Sequence, residues 1–224
     1  KMIDDLDEND DKVTTSCPSE YDWLERFGDA KYVFCVTITS GLSGSCNAAL
    51  LAKKEYEEKY PERQVFVINS LSTGPEMKLI AEYIREMILR NEDYENICSK
   101  ATEYMQHTGL LFMLESMRNL ANNGRISSVV AKAVGILGIR IVGVASEVGD
   151  LQLLDKCRGQ QKALATLKDK YNDIFDICDL YDEYNHLKYV HHIDSIKIKK
   201  CGLFKRPQNY QIIVILRNFE LVLI

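Results

Sequence analysis

The sequence predicts an α/β protein: a parallel-sheet α/β domain at the N-terminal side, followed by a smaller α+β domain. Two observations carry this. In the first half, short β-branched and aromatic runs alternate with amphipathic helical stretches across turns of a few residues, the pattern of parallel strands joined by crossover helices. In the second half, two apolar runs sit back to back around a glycine-containing turn, the pattern of an antiparallel hairpin. With 224 residues the chain is long enough for two such units.

The elements follow in order. Residues 1–12 are acidic and poor in apolar side chains, a solvated segment. A helix is expected over Glu20–Phe27, with Ser19 as its N-cap. Lys31–Ile38 (KYVFCVTI) is nearly continuous in apolar character, as a strand covered on both faces would be. The turn Thr39-Ser40-Gly41-Leu42-Ser43-Gly44-Ser45 leads into a helix over Cys46–Tyr60. Gln64–Ile68 is a second buried strand, Asn69–Gly74 its turn, and Pro75 suits the first turn of a helix reaching Arg90. A further helix covers Tyr94–His107.

Beyond a boundary placed at residues 107–109, the pattern changes. A short strand over Gly109–Leu114, a helix over Glu115–Ala121 and a helix over Ser127–Leu137 closed by Gly138 are expected. Strands over Arg140–Ala145 and Leu151–Lys156 then flank the turn Glu147-Val148-Gly149-Asp150, and a helix covers Gln160–Tyr171. From Asp173 onward Tyr, Ile, Lys, Asn and Asp dominate, and only Gln211–Leu216 reads as a strand. The expected organisation is an α/β domain over 1–108, incomplete at its N-terminal side, an α+β domain over 109–172 and a divergent tail over 173–224. The chain opens on Lys1 rather than Met, as expected of a sequence that begins inside a longer parent.

Composition narrows the function classes. The net charge is −5, and the most basic stretch, Lys197–Arg206, holds five cations interrupted by Cys201 and Gly202. This argues against nucleic acid, whose phosphates are met by clustered Lys and Arg. The seven cysteines are odd in number and form no CxxC pair, as expected of reduced thiols in a cytoplasm. Cys178 with His186, His191 and His192 lacks the paired spacing of a zinc site, so no metal is expected. The longest apolar run, Ile212–Leu216, is too short to span a bilayer, and contact with a membrane surface would be at most transient.

The most informative segment for chemistry is Thr39–Ser45. Ligands of open α/β sheets bind beyond the carboxyl ends of the strands. Gly41 and Gly44 allow close approach of a ligand, while Ser40, Ser43 and Ser45 place hydroxyls beside a helix N-terminus, where an anion is favoured. A carboxylate or phosphate is the natural guest; a turn with an N-cap and no ligand is the plain structural alternative. A serine-hydrolase elbow is not formed, because G-x-S-x-G is absent and His107 is the one histidine of the first half. A phosphate loop of the G-x-x-x-x-G-K-[ST] type is absent too.

Taken together, these segments resemble the DegV family. Thr15-Ser16-Cys17-Pro18-Ser19 matches its T-S-Q-P-S loop, and Thr39-Ser40-Gly41-Leu42-Ser43-Gly44 its S-S-G-L-S-G turn. Asn69-Ser70 stands at its D-S strand end, Leu120–Ser127 matches L-x-x-G-G-R-I-S, and Lys156-Cys157-Arg158-Gly159 matches K-x-R-G. The resemblance runs from about residue 13 to 171. It implies the two-domain DegV fold, and a protein that is not itself an enzyme. Its ligand would be a long-chain fatty acid held in a tunnel between the domains, with no cofactor, and its partner a soluble fatty-acid kinase that phosphorylates the presented carboxylate. By the same resemblance Thr15 and Ser40 would bind the carboxylate, Ser16, Gly41 and Ser43 would support the loops, and Arg158 would face the kinase. The sequence departs from the family in three places. Its opening D-S-T strand has no counterpart, its closing glycine-rich segment with a histidine is absent, and Asn69 replaces the usual Asp. Two other readings stand beside this one: a truncated member that binds no ligand, and a small-anion α/β enzyme using the Ser40 turn, which would need a general base.

Overall fold

A computed structural model describes residues 16–114, 120–121, 123–126, 138–174 and 210–213. The first helix, α1 (Glu20–Phe27), starts in a capping box. Ser19 Oγ accepts the Asp22 amide at 3.2 Å, and the Ser19 amide donates to the Asp22 carboxylate at 2.8 Å. Trp23 and Phe27, one helical turn apart, bury the same face, and Gly28 ends the helix at a positive φ of 56°.

β1 (Tyr32–Thr37) pairs in parallel with β2 (Gln64–Asn69), in a register running from Tyr32 opposite Gln64 to Thr37 opposite Asn69. Three helices wrap this pair: α2 (Ser45–Lys59), α3 (Gly74–Leu89) and α4 (Tyr94–Gln106). The alternation of a strand splits β1 between two cores. Val33 and Cys35 join Trp23, Phe27, Ala49, Ala52 and Tyr56 on one face. Phe34 and Val36 join Ile68, Met77, Ile80, Ile84 and Ile97 on the other. The expectation of a strand covered on both faces is met, and Pro75 falls in the first turn of α3 as expected.

The outer edge of β2 is guarded by α2. Glu57 accepts the Val65 amide at 2.8 Å, Lys53 donates to the Val65 carbonyl, and the two side chains pair with each other at 2.7 Å. Unpaired edge groups would otherwise offer a template to another strand.

The second sheet is antiparallel, in the order β3 (Leu111–Leu114), β4 (Ile139–Ala145) and β5 (Leu151–Arg158). β5 runs two residues past its expected end because Cys157 is buried opposite Arg140 and Arg158 pairs with Ile139. The register shifts at Val142/Gly143. A Cβ on Gly143 would lie 2.3 Å from the Phe112 ring and 2.5 Å from the Gln152 carbonyl, so only glycine fits there. α5 (Gln160–Ile174) packs on this sheet, reaching three residues past the expected Tyr171. The helix expected over 127–137 lies outside the described residues, as does most of that over 115–121; Gly138 has the positive φ of 76° that a C-terminal cap requires.

β6 (Tyr210–Ile213) pairs in parallel with β1 on the side away from β2, from Tyr32 opposite Tyr210 to Cys35 opposite Ile213. The strand expected at Gln211–Leu216 is therefore present in its first residues, and it makes β1 central; residues 214–216 lie outside the described residues. Among the described residues no helix is long and apolar enough to cross a membrane, and no cluster of His, Cys, Asp and Glu could hold a metal.

Candidate functional site

Four chain segments meet beyond the carboxyl end of β1. The parallel register brings Thr37 beside Asn69, so the turns that leave β1 and β2 are adjacent, and they are joined by backbone hydrogen bonds. Ser70 N donates to Thr37 O at 3.1 Å, and Thr39 N to Ser72 O at 2.9 Å. The loop before α1 arrives from the other side: a Cβ on Gly44 would lie 3.3 Å from Cys17 Sγ. The turn between β4 and β5 closes the cluster. Gly149, at a φ of +83°, is so close that a Cβ there would sit 2.1 Å from Thr39 Oγ1 and 2.9 Å from Leu71 Cα.

Ser40 stands exposed within this cluster. Its amide donates to Asn69 Oδ1 at 3.1 Å, and its Oγ accepts from Asn69 Nδ2 at 2.9 Å. Ser40 does not cap α2, whose N-cap is Gly44 and makes no side-chain cap bond. Ser43 serves that end instead: its Oγ accepts the Ser45 amide at 3.2 Å and lies 3.1 Å from Ser45 Oγ. The helix N-terminus expected to receive an anion is thus partly satisfied by Ser43 itself. Among the described residues no titratable base contacts Ser40 Oγ, so nothing there would activate it as a nucleophile.

The remaining expected residues divide. Ser16 is exposed in the loop that reaches Gly44, while Thr15 lies outside the described residues. Gly41 is exposed, and its lack of a side chain lets the β4–β5 turn come close, since a Cβ would lie 2.8 Å from Asp150 Oδ1. Arg158 is exposed at the far end of β5 from the turn that meets Thr39. Eight residues of strand put it roughly 23 Å from the site at about 3.3 Å per residue.

Sequence reading missed the central part of Asn69, the buried Ser72, whose hydroxyl has no partner among the described residues, and Asp150. Only the pairing of β1 with β2 brings Asn69 to Ser40, 29 residues away in sequence. Two surface clefts, of about 480 and 630 Å³, lie along the β2 edge and α4 and include none of these residues.

The sequence model of the family described as "uncharacterised protein, DegV family" matches residues 1–192. A DegV domain-containing protein of Streptococcus pneumoniae is 44% identical over 156 residues, which are 70% of this chain and 56% of that protein. One from Streptococcus pyogenes is 41% identical over 166 residues, 74% of this chain and 59% of the relative. The chain therefore spans little more than half the length of these relatives. Among solved structures, a DegV family protein of Eubacterium eligens loaded with heptadecanoic acid superposes with a TM-score of 0.73 at 44% identity. That match covers 77% of this chain and 62% of the other. The Streptococcus pneumoniae fatty acid kinase (Fak) B3 protein loaded with linoleic acid does so with a TM-score of 0.73 at 40% identity, covering 77% and 61%.

Proposed function

This chain belongs to the DegV family, and on that premise we propose that it binds a long-chain fatty acid and presents the carboxylate to a soluble fatty-acid kinase. The observation that carries the reading is the Ser40 hydroxyl, exposed at the meeting point of the turns after β1 and β2, the loop before α1 and the β4–β5 turn. Thr15 and Ser40 hold the carboxylate in this proposal, with Ser16, Gly41 and Ser43 shaping the loops. Arg158 contributes to the kinase-facing surface, at a distance from the carboxylate. The chain itself performs no catalysis and needs no cofactor. The parallel-sheet unit ends near residue 108, and the unit over 109–172 supplies the apolar wall.

The fatty-acid ligands of the Eubacterium eligens and Streptococcus pneumoniae neighbours support the reading. So does the physics. Burial of an acyl chain is worth about 0.8 kcal/mol per methylene, while the carboxylate must keep strong hydrogen bonds to leave water.

The test is uptake of palmitate by the delipidated chain, followed by native mass spectrometry and titration. Stoichiometric uptake is expected, and Ser40→Ala should weaken it about 10- to 100-fold, the loss of a hydrogen bond to a charged group. A chain that takes up no fatty acid would overturn the proposal and leave the ligand-free reading.

A further inference from the structure

We propose that Asn69 is a positioning residue that fixes the Ser40 hydroxyl as a donor toward the ligand, and so tunes the site to the ionised carboxylate. This rests on the reading that Ser40 meets the carboxylate.

The orientation of the Asn69 amide follows from its neighbours. One side-chain atom faces two backbone N–H groups, Ser40 N at 3.1 Å and Leu71 N at 3.4 Å. A backbone N–H group only donates, so that atom is the carbonyl Oδ1. The other atom is then the Nδ2 group, a pure donor, and it faces Ser40 Oγ at 2.9 Å. Ser40 Oγ must accept there. A hydroxyl has one proton, and with Asn69 unable to take it, that proton is left for a group outside the pair. Leu71 holds a φ of +54°, a conformation costly for leucine, and the bond from its amide to Oδ1 is one of the contacts that stabilise it.

An aspartate at position 69 would reverse this. Its first oxygen would take the two amides, and its second would accept the Ser40 proton. Ser40 would then offer the ligand lone pairs, backed by a negative charge at the distance now held by Nδ2. Two carboxylates on either side of one hydroxyl repel each other, and binding would favour uptake of a proton by one of them. Among the described residues, the other ionisable groups on the segments that meet here are Cys17 on the loop before α1, Glu147 and Asp150 on the β4–β5 turn, and Glu76 in the first turn of α3. Glu76 is buried and accepts from Thr108 Oγ1 at 2.6 Å. Asp150 approaches Gly41. All four are common to every variant below, so differences between variants report position 69.

The experiment is calorimetric titration of palmitate into the delipidated chain at pH 7.5, in buffers of different ionisation enthalpy, with affinities followed from pH 6 to 8.5. For Asn69→Asp, binding should take up about one more proton than in the unmodified chain and weaken as much as about tenfold per pH unit on the alkaline side. For Asn69→Ala, which frees the Ser40 rotor without adding charge, affinity should fall by up to about tenfold with no change in proton count. Asn69→Asp with the affinity, proton count and pH profile of the unmodified chain would overturn the inference, and so would Asn69→Ala binding as tightly as the unmodified chain. Asn69→Ala decides the matter if Asn69→Asp does not fold. Palmitate binding that is lost on Ser40→Ala but indifferent to position 69 overturns this inference alone; no palmitate binding in any form overturns the functional reading beneath it.

Discussion

β1 is buried along five of its six residues, with helices on both faces, whereas β5 fully buries only Cys157 among its eight. The parallel sheet thus lies between two cores, one built on Trp23, Phe27 and Tyr56 and the other on Phe34, Met77 and Ile84. The described core of the antiparallel sheet is smaller, centred on Ile141, Val142, Cys157 and Ala163. The difference follows from connectivity. Crossover helices between parallel strands cover both faces, while an antiparallel ribbon can be built with one face covered. Stability and function are then expected to separate: the parallel sheet anchors Ser40 and Asn69, and the antiparallel sheet delivers one turn, at Gly149, onto them.

The largest expected effect sharpens this contrast directly. Phe34→Ala should cost about 4 kcal/mol in urea unfolding, because a fully buried ring leaves a cavity in the larger core. Val142→Ala, at an equally buried position of the other sheet, should cost about 2 kcal/mol. If the smaller truncation proves as costly as the larger, the two regions are not built as differently as their burial suggests.

Next in size is the contact between the two regions. Gly149→Ala places a Cβ against Thr39 and Leu71 at a φ that side chains avoid, so the turn must withdraw from the Ser40 loop. The expected cost is about 3 kcal/mol. Hydrogen exchange should speed up at Thr39 and at Ser146–Asp150 while the amides of β1 stay protected. Uniform acceleration across both sheets would mean that they unfold as one unit.

The smallest effect is on the alkaline side. Burial pushes the Cys98 thiol from 9.0 up to about 11, partly offset by a hydrogen bond from Tyr94, and burial also raises the thiol of Cys35 and the phenol of Tyr94. The folded state holds these protons more tightly than the unfolded state. For Cys98 the stabilising contribution is therefore complete below pH 9 and is lost as the pH climbs through 11. Chemical denaturation between pH 8 and 11 should show falling midpoints, with a shallower fall for Cys98→Ser. An unchanged slope in that variant would assign the loss to Cys35, Tyr56 and Tyr94, whose protons burial also holds more tightly in the parallel-sheet region.

Much of the fold was legible because it is local. The N-cap at Ser19 stands directly before its helix, and the apolar run of β1 shows its two-sided burial without reference to any partner. The hairpin of β4 and β5 was equally plain, since the turn at 147–150 lies between two apolar runs. The Ser40 loop announced itself through small and hydroxylated residues after a buried strand. Roles within that loop were less legible. Ser43 and Ser40 look alike as residues, yet Ser43 is turned onto its own helix and Ser40 is held by Asn69. Gly41 also makes room for a neighbour that no local pattern announces, the Asp150 carboxylate of the distant β4–β5 turn.

Sequence by itself therefore determined the element types, the two-sided core of β1 and the family to which the motifs point, because each depends on propensity and spacing along the chain. Tertiary structure alone decided that β6 joins β1, that Asn69 grips Ser40 and that Gly149 closes on Thr39. Those contacts depend on strand register and on the approach of distant turns, and a backbone hydrogen bond or a missing Cβ specifies such a neighbour only once the strands have paired.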